Sequence, residues 1–178
     1  MKLFKLTTQD NKTRAGESNE CVWGPNVTHK AIGDGSKLCS DGFIHAYESP
    51  LVAVFMNTIH ADIENPKLWE CKGEIVKRDG QLKCGVRTLT TVKEIALPIL
   101  SIEQRIAIAI LCAKVVYKDK QWNIWADSWL NGTDRSAKTA YAAAYAAARA
   151  AAYAAYAADA TAKGFDLLKN IKEVMKGN

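Results

Sequence analysis

The stretch "LWECKGEIVKRDGQLKCGVRTL", Leu68–Leu89, decides the fold. Two strand-like runs, Leu68–Val76 and Gln81–Leu89, flank the dipeptide Asp79-Gly80. Asp-Gly between such runs is a hairpin signal, because tight hairpin turns need positive φ and glycine adopts it without steric cost. An antiparallel pair is therefore expected at the centre of the first half of the chain.

Towards the N-terminus, further strand-like runs occur at Lys2–Thr7, around Val27–Ile32 and at Lys37–Cys39. Gly33-Asp34-Gly35 supplies turn chemistry between the last two, and Phe43–Tyr47 follows a second Asp-Gly. Ser49-Pro50 has the form of a helix start, a capping residue followed by proline at the first helical position. That helix is expected over Pro50–Ala61 with Leu51, Val54, Phe55 and Ile59 inward.

Towards the C-terminus the pattern changes to helix. Ser101-Ile102-Glu103-Gln104 has capping-box form, and Ile106 to Val116 continues apolar. Trp122, Trp125 and Trp129 fall on one face of a short helix that Asn131-Gly132 ends. Thr133 or Asp134 is placed to cap the next helix, and Phe165, Leu168, Ile171 and Met175 form a last amphipathic segment after Gly164. The expected fold is α+β: a small, mainly antiparallel sheet with one helix over 1–98, then an all-helical region over 99–178. A long alanine-rich helix over 134–163 belongs to that second region.

The tract "AYAAAYAAARAAAYAAYAADA", Ala140–Ala160, is expected to be helical because alanine loses no side-chain rotamer freedom in a helix. At about 100° per residue, Tyr141, Tyr145, Arg149, Tyr153, Tyr156 and Asp159 fall in one sector about 120° wide. The rest of the surface is smooth alanine, which lets another backbone approach closely while burying little area per residue. Packing within the chain and pairing with a second copy, a homo-oligomer, are both compatible with such a surface. A helix from 134 to 163 would be about 45 Å long.

The chain has 178 residues and a net charge of +5. Residues 1–98 hold 13 Lys and Arg against 12 Asp and Glu, and residues 99–178 hold 11 against 7. This mild excess falls short of a dedicated nucleic-acid footprint, so no nucleic-acid partner is expected, and it suits a small anionic ligand. No apolar run approaches the roughly 18 residues of a membrane span, and MKLFKLTTQD lacks the apolar core of a secretory signal. Five cysteines without a C-x-x-C pair fit reduced thiols in a cytosol better than a disulfide framework.

The segment "LCSDGFIHAYESP", Leu38–Pro50, concentrates chemistry-bearing residues. On a strand His45 and Tyr47 share a face, and Glu48 lies across it. The helix start beyond them offers free N–H groups near Leu51 and Val52, so a phosphate or carboxylate could sit there with His45 as donor. Arg14 in "KTRAG" could grip a phosphate with its planar fork, and Trp23 in "CVWGP" could stack on a base. Cys39, His45, Cys71 and Cys84 contain no close zinc-ligand pair, so no metal is expected. No phosphate loop, dinucleotide fingerprint or hydrolase motif occurs, and no catalytic set can be assigned.

"LCSDGFIHAYESPL" resembles the C-x-x-G-F-H-A-x-x-x-P-L signature of an uncharacterised domain family common in bacteriophages and prophages, with Ile44 inserted between Phe43 and His45. "LWECKGEIVKRDGQLKCGVRTLTTVKEIAL" is similar to the segment that follows in that family. The alanine-rich tail resembles tails attached to such domains. More weakly, "DGFIHAYESP" is similar to a G-F-I-H-x-S segment of small domains related to ADP-ribosyltransferases. Those use a histidine or arginine, a tyrosine or serine, and a glutamate around NAD. His45 matches the histidine and Tyr47 stands beside the serine position, while Glu64, Glu70, Glu74 and Glu94 leave the glutamate unassigned. The resemblances imply a phage accessory protein in the host cytoplasm that binds a nucleotide-like or ADP-ribose-like ligand, without a resident cofactor. They leave two alternatives open: an ADP-ribosyltransferase-like enzyme using NAD, and a protein-binding inhibitor acting through the alanine-rich helix.

Overall fold

A computed structural model describes residues 1–135 and 162–177. The chain is α+β and falls into two compact units, Met1–Ile99 and Leu100–Asn178. Residues 136–161, which carry nearly all of the expected alanine-rich helix and its tyrosine stripe, lie outside the described residues.

The first unit is built on the hairpin. Strand β6 (Lys67–Asp79) pairs antiparallel with β7 (Lys83–Ile95) from Asp79↔Lys83 to Leu68↔Ile95. Gly80 takes φ +51° in the turn, and Leu82 N–H closes it on the Asp79 carbonyl at 2.9 Å. The register shifts at Glu70/Cys71, Gly73/Ile75 and Ile75/Lys77, and such irregularities increase local twist. Strand β1 (Lys2–Thr7) lines the other edge of β6 in antiparallel register, Lys2↔Lys72 to Thr7↔Lys67.

Two short strands share the far edge of β7. Strand β4 (Thr28–Lys30) pairs at Thr88–Thr90, and β5 (Ile44–Ala46) pairs at Cys84–Val86. Tyr47 then bridges to Phe4, with N–H···O bonds of 2.8 and 2.9 Å in both directions. The sheet therefore curls until β5 meets β1. Inside lies a core of Leu3, Trp23, Ala46, Trp69, Cys71, Cys84, Val86 and Leu89. Its buried polar atoms are paired: Trp69 Nε1–H donates to Thr7 Oγ1 at 3.1 Å, and Thr91 Oγ1–H to the Gly24 carbonyl at 2.6 Å. A separate ribbon of β2 (Lys12–Thr13) and β3 (Cys21–Val22) carries the loop 14–20.

Three expectations need correction. Lys37–Cys39 forms a turn, not a strand. Ser40 Oγ–H bonds the Lys37 carbonyl at 2.6 Å, a local bond that competes with strand pairing, and β4 and β5 already occupy that edge of β7. Arg87 fills the interval between them, donating to the Gly42 carbonyl and lying 4.3 Å from the Phe43 ring. The helix α1 (Pro50–His60) buries Val52, Ala53, Val54 and Met56, whereas Leu51, Phe55 and Ile59 are half-buried. Stacking of Tyr47 on His60, with ring centroids 5.9 Å apart, holds the helix in the roll that turns the 52, 56 and 60 stripe inward. Ser49 occupies the N-cap position, but its hydroxyl makes no capping bond.

The second unit contains α2 (Ile102–Val116), α3 (Lys120–Leu130) and a C-terminal helix, α4 (Leu167–Lys176). The capping box forms: Gln104 N–H donates to Ser101 Oγ at 3.1 Å, and Ser101 N–H to Gln104 Oε1 at 2.9 Å. Ile110, Ala126 and Trp129 make a buried cluster, with Trp122 and Trp125 packed against it. Gly132 ends α3 at φ +79°. Leu167 and Ile171 are fully buried on α4, which packs on α2.

Candidate functional site

A cleft of about 520 Å³ opens in the first unit, and Arg14, Trp23, His45 and Tyr47 all line it. These residues come from the β2–β3 ribbon, its loop and strand β5, elements far apart in sequence that the curled sheet brings together. Three further features line the same cleft: Lys5 of β1, Lys83 at the start of β7, and His60 at the end of α1. The volume lies within the range of small-ligand pockets.

Lys5 is the most constrained cation. In "KLFKLT" it alternates with Leu3 and Thr7, both fully buried, so the strand carries it into a desolvated setting. Its ammonium donates to the His45 carbonyl at 2.9 Å and sits 5.2 Å from the Trp23 ring centroid. Burial pushes the amine down to about 8, against the opposing pull of nearby Cys71 and Cys21. Lys2, Lys12 and Lys67 each pair with a glutamate. Among the described residues no carboxylate forms an ion pair with Lys5.

Trp23 is both core and wall. It is 3% exposed, its Nε1–H donates to Thr13 Oγ1 at 2.9 Å, and His29 meets its ring edge-on at 4.6 Å. Arg14 is exposed at φ +55°, at the head of the 14–20 loop. Glu17 N–H closes that loop on the Arg14 carbonyl at 3.0 Å.

His45 is not placed as the anion donor that the sequence suggested. His45 Nε2–H is spent on the Leu38 carbonyl at 2.7 Å, which leaves Nδ1 as an acceptor. Burial pushes its imidazole below the ordinary value, the Leu38 bond opposing, and the charges of Lys83, Lys5 and Arg14 add to the lowering. His60 is pushed down to about 4 by burial, then by Lys83 and His45. It is a neutral partner for the Tyr47 hydroxyl at 3.3 Å, and burial raises the phenol so that it keeps its proton. The N-terminus of α1 is not part of the cleft either. His60 and Ala61 at the other end of the helix line it, so Leu51 and Val52 offer no N–H groups there.

The arrangement therefore holds positive charge on Lys5, Arg14, Lys30 and Lys83, set against Glu17 and Asp41. Neutral polar groups and a buried aromatic wall complete it. Asn19 Oδ1, on a lining residue, is buried with no hydrogen-bond partner among the described residues. None of Glu64, Glu70, Glu74 and Glu94 lines the cleft. Among the described residues no group of three His, Cys, Asp or Glu is placed to hold a metal ion, and no helix is long and apolar enough to cross a membrane.

Sequence reasoning missed Lys5, Asn19, His60 and Lys83. Only Lys5 left a signal, as a lysine inside the apolar run "LFKLT". Comparison of the chain with protein-family models, curated proteins and solved structures finds no match.

Proposed function

We propose that this protein is a phage accessory protein whose cleft binds a small anionic, nucleotide-like ligand such as an ADP-ribose derivative, sequestering it as a host immune signal. One observation carries the binding reading: four cations and a buried aromatic wall converge on one cleft of about 520 Å³. Phosphates suit the cations, with Arg14 as the bidentate group. The resemblance of "LCSDGFIHAYESPL" to a phage and prophage signature is what suggests the biological setting, and Phe43, Ile44, His45 and Tyr47 of that segment line the cleft. The enzyme alternative finds none of Glu64, Glu70, Glu74 and Glu94 in the cleft, where Glu17 is the lining glutamate; binding without turnover is the simpler function for this site.

Thermal-shift screening with NAD, ADP-ribose, cyclic ADP-ribose isomers and cyclic dinucleotides tests the reading. Stabilisation by one of them, with the ligand recovered intact after denaturation, is the expected result. Released nicotinamide or a modified protein would replace binding by catalysis. No shift with any of them would remove the ligand from the account.

A further inference from the structure

Lys5 is more than one cation among four. Lys5 lines the cleft, and its amine forms no ion pair with a carboxylate among the described residues. It spends one of its three N–H donors on the His45 carbonyl at 2.9 Å. Arg14 and Lys83, which line the same cleft, leave a second and third positive charge to hold an anionic group on a ligand. The geometry points to Lys5 as a nucleophilic amine that captures anionic aldehydes, including phosphorylated reducing sugars in their open form, as an imine. This inference uses the cleft of the binding reading and adds a covalent step to it.

The step balances without a further reagent. The nitrogen lone pair of neutral Lys5 forms the N–C bond, and the carbonyl π pair moves to oxygen, which takes a proton from the nitrogen to give a carbinolamine. That hydroxyl leaves as water with the second amine hydrogen, so amine and aldehyde give imine and one water. A lowered amine supplies the neutral form: with its titration at about 8 instead of 10.5, the uncharged fraction near pH 7 is on the order of a hundredfold that of a surface lysine.

The probes are pyridoxal 5′-phosphate and pyridoxal, each trapped with cyanoborohydride on the full chain and mapped by peptide mass. The expected result is a reduced adduct at Lys5 formed at least about tenfold faster than at exposed lysines such as Lys72. The phosphate-bearing aldehyde should outpace pyridoxal at Lys5 alone, and Arg14→Ala should remove that advantage. Labelling of Lys5 no faster than Lys72, or no dependence on the phosphate, would overturn the inference. Because the preference for Lys5 and its dependence on the phosphate are both read on the wild-type chain, a misfolded Arg14→Ala would not obscure them. Failure here with intact nucleotide binding would leave the binding reading standing. Selective trapping without nucleotide binding would do the reverse.

Discussion

Replacing Lys5 by methionine should stabilise the first unit at neutral pH, an unusual outcome for truncating a hydrogen-bonded side chain. The amine falls from 10.5 unfolded to about 8 folded, so the folded state binds fewer protons between those values. The charging penalty is thus fully present below pH 8 and relieved as pH rises towards 10.5, which makes stability increase with pH across that window. At 1.36 kcal/mol per unit the penalty at pH 7 is about 3 kcal/mol, trimmed by solvent that reaches the half-buried amine. Lys5→Met also leaves the His45 carbonyl without its donor, a loss of about 1–2 kcal/mol. A net gain of about 1 kcal/mol at pH 7 remains. The sharper quantity is the difference between variant and wild type, which should shrink by about 1–2 kcal/mol from pH 7 to pH 9.5 as wild-type Lys5 discharges. Urea unfolding followed by 19F NMR of fluorotryptophan at Trp23 and Trp69, both in the first unit, measures it. Cys71, Cys21, Cys84 and Arg14 face the amine, and their pull on Lys5 is already contained in its lowered titration; the four groups themselves are present in both proteins. A flat difference curve, or one that grows with pH, would refute the desolvated-lysine argument.

Arg14→Lys should weaken ligand binding by about tenfold or more with unchanged stability, because lysine keeps the charge and the positive-φ backbone but loses the bidentate fork; calorimetry on both proteins checks it. Acid should destabilise the first unit by up to about 3 kcal/mol as pH falls from 6.5 to 4, since unfolded His60 takes up a proton that its folded form, titrating at about 4, resists. His60→Gln should flatten that slope in urea titrations at stepped pH. Gly42→Ala should cost about 1–3 kcal/mol, because a Cβ there would stand 2.1 Å from the Gly35 carbonyl oxygen. Denaturant unfolding gives the stability change, and hydrogen exchange should show 31–43 losing protection.

The fold class was legible because its evidence is local. Asp79-Gly80 marked the hairpin, Ser101 with Gln104 marked the start of α2, and both behave as their chemistry dictates. The strand expected at Lys37–Cys39 was not legible as a turn, since a strand exists only if an edge is free to pair, and β4 and β5 fill that edge. The roll of α1 was equally hidden, for it depends on the Tyr47–His60 stack across 13 residues. Arg14, Trp23, His45 and Tyr47 could be picked out as residue types suited to a ligand, and the structure gathers them around one cleft. Their roles could not be read, because the partner that occupies His45 Nε2–H is the carbonyl of Leu38, and any residue has a carbonyl. Lys5 and Lys83 reach the cleft through the curl of the sheet, and Asn19 through the separate ribbon that carries its loop.

Calorimetric titration of ADP-ribose and of adenosine into the wild-type chain, at low and at physiological salt, tests the central claim most directly. Saturable binding of ADP-ribose, weaker at higher salt and at least about tenfold tighter than adenosine, is the result expected of a cleft whose cations hold phosphates. Equal affinity for the two, or no heat from either, would contradict an anion-binding cleft.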